Sequence, residues 1–130
     1  MCKENKQEEK SFCEAEDLKQ KSLIEISVES WRFARIFSKF LGKLDAGETQ
    51  RYANQVRYFL KRINSELEKF SICLVNIEGQ QYDSGMAVSA LNSADFAPDD
   101  ILIVEQMVEP IVMGPDGLIR SGTVMLAKVR

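Results

Sequence analysis

The hydrophobic period of this chain changes once, near Phe70, and that change limits what it can fold into. From Leu23 to Phe70 apolar residues recur every three or four positions, the period of a helix; beyond Phe70 they alternate, the period of a strand. Helices followed by a run of strands predict an α+β architecture.

In SLIEISVESWRFARIFSKFLGKL, the residues Ile24, Val28, Trp31, Phe37, Leu41 and Leu44 form one stripe, with Phe33, Ile36 and Phe40 beside it. The stripe is wider than a two-stranded coiled-coil seam requires. Gly42 and the LDAGE run interrupt it, and Asp45, three residues before Glu48, has the form of a capping box with Asp in place of the usual hydroxyl residue. A second helix then carries Tyr52, Val56, Phe59, Ile63, Leu67 and Phe70 along one face. The two make an antiparallel helical hairpin over residues 22–70. Stripes this broad exceed what two helices bury by themselves, so either the following β region or a second copy of the chain must cover the rest. Two hairpins from two chains would close a four-helix bundle, with Trp31, Phe37, Leu41, Tyr52, Val56, Phe59, Ile63 and Phe70 at its centre.

The first 21 residues carry two large apolar residues, Phe12 and Leu18, among many charges, and their composition predicts a flexible lead-in. Residues 71–130 read as a small all-β unit: SICLVNI as a strand, MAVSALN as a short strand or turn of helix, and two long strands at about 101–113 and 118–129. Gly114, Pro115, Asp116 and Gly117 supply the turn of a long hairpin, in which Gly117 takes the positive φ. Pro110 cannot donate to a ladder, which predicts an edge or a bulge in the first long strand.

The chain contains no histidine, which removes serine–histidine and cysteine–histidine nucleophile pairs and imidazole acid–base work. Any catalysis would fall to carboxylates, and no pair has a suitable spacing: Glu105 and Glu109 stand about 13 Å apart by strand rise. Asp95, Asp99 and Asp100 match no calcium loop. GQQYDSG and GPDG are not phosphate cradles. The expectation is a non-catalytic protein without cofactor or metal. Three cysteines in no ligand spacing, and an N-terminal segment too charged for a secretory signal, predict a reducing, cytoplasmic setting, with Cys73 as a small buried hydrophobe. No apolar run approaches the roughly 20 residues that span a bilayer.

Charge is unevenly spread. Residues 23–70 hold nine Lys and Arg against six Asp and Glu, and residues 71–130 hold three against eight. Neither is a nucleic-acid footprint, because the basic residues are mixed with acids around the helix faces. Arg120 is the only cation between Lys69 and Lys128, either an interface anchor or a strand charge paired with Glu105 or Glu109. Met107, Met113 and Met125 fit a binding surface or a core.

EKFSI, YDSGMAV and GLIRSGTVMLAKV together resemble the C-terminal half of the GrpE family of nucleotide exchange factors, over residues 59–129. They are similar to the family's helix end, its Asp-Pro motif followed by Ala-Val, and its closing strand with an Ile-Arg pair. Ser84 stands where the family has proline, Met86 falls one residue early, Pro110-Ile111-Val112 replaces a Gly-aromatic pair, and Gly122 replaces Ser or Ala. The N-terminal helical region is shorter than in the family. The resemblance implies a homodimer held by a four-helix bundle, with the β unit as a wing that opens the nucleotide cleft of a DnaK-type, actin-fold chaperone ATPase. It also implies partner contacts at Arg120, Val124 and Leu126, with Asp83 and Met86 as looser matches. Met107, Glu109 and Pro110 join them if the first hairpin strand lies on the contact face.

Overall fold

In a computed structural model, residues 2–129 are described, with side chains for residues 13–129. Two helices, α1 (Cys2–Leu41) and α2 (Ala46–Glu68), precede six short strands. Where composition predicts a flexible lead-in over 1–21, the backbone instead continues α1 back to Cys2. The segment is rich in Lys, Glu and Gln, which favour helix, and extending an existing helix avoids the cost of nucleating one. Phe12 and Cys2 fall outside the described side chains.

The turn between the helices is closed by polar contacts. Asp45 caps α2 by accepting the Glu48 backbone N–H at 2.9 Å, the first half of the expected box. The Thr49 hydroxyl donates back to the Leu41 carbonyl at 2.7 Å and so satisfies an end group of α1. At its far end α2 stops through Ser71, which takes a left-handed φ of 58° while the Ile72 N–H donates to the Leu67 carbonyl.

The strands β1 (Cys73–Val75), β2 (Val88–Ala90), β3 (Leu102–Glu109), β4 (Ile111–Gly114), β5 (Gly117–Arg120) and β6 (Gly122–Lys128) form two three-stranded sheets. One has the order β1-β4-β5 and the other β2-β6-β3. The expected hairpin is present, but it is divided between the sheets. Its base, β3 against β6, is antiparallel, and β2 joins β6 in parallel; its tip, β4 against β5, pairs with β1. Pro110 marks the change on one strand. It is fully buried, so it is neither a ladder residue nor an exposed edge. Gly122 marks it on the other, where an added Cβ would lie 2.9 Å from the Glu109 carbonyl oxygen and 3.1 Å from the Met107 methyl. Gly117 adopts a φ of 118° at the turn, as expected, and a register shift beside Val112 and Met113 absorbs an extra residue in β5.

Two cores result. Trp31 of α1 packs with Ile77, Val104, Met107, Ile111, Val124 and Leu126 of the β unit. Ile24 and Val28 of α1 pack with Leu67, Ile72 and Val112. The β unit therefore covers one stripe of α1, and full burial of each such side chain contributes about 1.5–3 kcal/mol. Alternation places Ile72 inward and Cys73 outward, so Cys73 is exposed and not a buried hydrophobe. No helix among the described residues is long and apolar enough to cross a membrane.

Candidate functional site

The junction between the base and the tip of the hairpin brings Glu109, the last residue of β3, and Arg120, the last of β5, to the flank of α1, where charges from both elements interlock. Arg120 donates to Glu109 Oε2 at 3.0 Å and to Glu25 Oε1 at 2.7 Å. Arg32 approaches Glu109 at 4.0 Å and pairs with Glu29 at 3.1 Å. One turn further along α1, Arg35 pairs with Glu78, whose carboxylate also accepts the Met107 backbone N–H at 2.9 Å. Burial pushes the Glu78 carboxyl upward, but the Met107 N–H and Arg35 outweigh it and hold the group below its usual range. These pairs fasten the β unit to α1. Of the two roles open to Arg120, the strand charge paired with Glu109 is realised, and Glu25 adds a partner that only the three-dimensional packing reveals.

The other expected contact residues lie inside. Met107 is 1% exposed, Val124 and Pro110 are buried, and Leu126 is 2% exposed. They are core residues of this chain, because β3 and β6 turn those faces toward α1, and a partner cannot reach them without unfolding the unit. Met107 is therefore core, as one of the two readings of the methionines holds. What the hairpin does expose is its tip: Leu118 and Ile119 on β5 are about half exposed. Ile119 lies over Gly114, whose missing Cβ leaves room for it.

A second surface lies on the helices, turned away from the β unit. Ile26, Phe33, Ile36 and Phe40 are more than half exposed, and Phe33 and Phe37 stack with ring centroids 6.2 Å apart. Phe33, Ala34 and Phe37 of α1 face Val56 and Phe59 of α2 across an apolar groove of about 200 Å³. Of the residues assigned to a bundle centre, Phe37, Val56 and Phe59 line this groove, and Tyr52 is 41% exposed. Trp31 and Leu41 are buried within the chain instead, and Ile63 packs on the second core cluster. Phe70 is exposed at the end of α2 beside Leu23. Ile26 escaped the sequence reading, although its spacing of seven from Phe33 and fourteen from Phe40 carried the signal.

No family model, no curated protein and no solved structure matches this chain.

Proposed function

We propose that this protein is a GrpE-like nucleotide exchange factor. Two copies join through the exposed helical faces, and the β units project as wings toward a DnaK-type chaperone ATPase. The observation that carries the reading is the exposed apolar stripe of Ile26, Phe33, Phe40 and Phe59, with half-buried Phe37 beside it, on the helical hairpin. A stripe of that extent calls for a covering surface, and a two-fold bundle supplies one while leaving both wings free.

The wing acts by differential binding. Stabilising the open nucleotide cleft over the closed one by ~3 kcal/mol shifts that equilibrium about 150-fold, and no group on the factor enters the chemistry. Contact falls to the hairpin tip, Leu118 and Ile119, with Arg120 behind it exchanging the exposed Glu25 for an acidic group of the ATPase.

Stopped-flow release of a fluorescent ADP analogue from a DnaK-type ATPase tests this directly. Acceleration of tenfold or more, lost in Leu118→Ser, is the expected result; unaltered release with a folded dimer refutes exchange. A second reading, a binding or scaffold subunit of the same architecture serving another protein, is favoured by one observation. Arg120 is already satisfied by two carboxylates, and four of the positions that match family contacts or lie near them are buried.

A further inference from the structure

Two loops of the β unit, residues 78–85 and 93–100, meet where β3 begins and β6 ends. Between them lies an open cleft of about 480 Å³, within the range of ligand sites. Tyr82, Phe96, Ile101 and Leu102 give it an apolar lining, and Asp83 and Asp100 stand on it as carboxylates. Its walls are held in place. The Tyr82 N–H donates to the Leu102 carbonyl at 2.8 Å, and the Asn92 side chain both donates to and accepts from the Leu126 backbone at 2.9 Å. Asp100 accepts the Ala97 N–H at 2.9 Å and pairs with Lys128 at 3.2 Å.

The charge around the cleft is one-sided. Residues 71–100 contain Glu78, Asp83, Asp95, Asp99 and Asp100 and no Lys or Arg. Glu78 is engaged by Arg35, and Lys128 answers Asp100. Among the described residues Asp83, Asp95 and Asp99 have no ion-pair partner. Asp83 accepts the Gly85 N–H at 3.2 Å through Oδ1, and Oδ2 accepts no hydrogen bond from the described residues.

We propose that this cleft binds a basic, apolar segment of a protein partner. A leucine-like side chain would lie against Tyr82, Phe96 and Leu102, with a flanking Lys or Arg at Asp83. The carboxylates set the sign of the ligand's charge, and the apolar lining sets its amphipathic character, since a purely polar cation would leave that surface wet. The proposal does not rest on nucleotide exchange or on dimerisation, because the cleft is formed within one β unit and is tested without an ATPase.

The test uses the isotopically labelled full chain titrated with three short peptides, of alternating Lys and Leu, Glu and Leu, and Lys and Gly. The Lys–Leu peptide is expected to shift the amides of residues 81–84 and 93–102 saturably, at least tenfold more tightly than either control. Salt at about 0.3 M should weaken it severalfold, because the charges are exposed. Asp83→Asn and, independently, Ile101→Ser should each lower its affinity three- to tenfold; both side chains are exposed, so the fold persists. Lys–Gly binding as tight as Lys–Leu, shifts spread equally to Glu105 and Asp116, or affinity unchanged in both variants would overturn the proposal.

Discussion

Gly122 occupies the point where the second ribbon strand passes from one sheet to the other, and it has no space for a side chain. A methyl there meets backbone at Glu109 on one side and the packed Ile111 and Met107 side chains on the other. Gly122→Ala should cost about 1–3 kcal/mol, the usual penalty for overpacking, seen as a lower urea midpoint with little change in slope. Glu78 makes a different prediction. Its folded-state carboxyl lies below an unfolded value of about 4.5, so its stabilising contribution is complete above that pH and disappears as pH falls through the lower folded value. Glu78→Gln should flatten the acid limb of stability below about pH 4.5 while lowering stability at pH 7, read by denaturant titration across that limb. An unchanged acid limb would assign the loss to other carboxylates.

At the scale of elements, the two faces of α1 respond to substitution in opposite ways. Trp31 and Val28 lie in cores shared with the β unit, and Trp31→Ala should cost about 3–5 kcal/mol and loosen the whole molecule. Phe33 is 67% exposed and Ile26 66% exposed, so Phe33→Ser with Ile26→Asp removes little buried area within one chain. If the stripe joins two copies as proposed, the double variant should be a folded monomer by sedimentation, with native circular dichroism, and the parent a dimer. The helices, the Asp45 cap and the Gly117 turn were legible in the sequence because each is a local device whose residues are contiguous. The division of the hairpin was not. Proline removes a donor equally at an edge, a bulge or a change of sheet, and only the pairing of β4 with β1 decides which occurs. The burial of Met107, Pro110, Val124 and Leu126 was hidden for a related reason: alternation in a strand marks which residues share a face, but not whether that face meets solvent or α1. The reach of α1 back to Cys2 was hidden because low apolar content reads as disorder unless a strong helix already follows.

For the whole molecule, the disproportion between the helices is the feature with the largest consequence. At 1.5 Å per residue α1 is about 60 Å long and α2 about 35 Å. Leu67 packs on Ile24 and Val28, and Phe70 reaches the turn around Gln20, so about 14 residues of α1 project beyond the rest of the fold. A helix of that length is marginal in water by itself. If two chains pack antiparallel about the stripe centred on Phe33, both projections stand alone at opposite ends. If they pack parallel, each covers the other. The second arrangement would bury part of each projection, and it separates from the first by a distance. With Cys2 and Cys73 replaced by serine, Cys13 is the single thiol left, exposed and suited to a spin label. Parallel packing at an ordinary interaxial spacing of about 10 Å places the two labels roughly 20–30 Å apart once their linkers are included. Antiparallel packing about Phe33 separates Cys13 from its counterpart by about 60 Å. Double electron–electron resonance should return the short distance, and the signal should vanish in the Phe33→Ser, Ile26→Asp variant, in which no second copy remains to carry the other label.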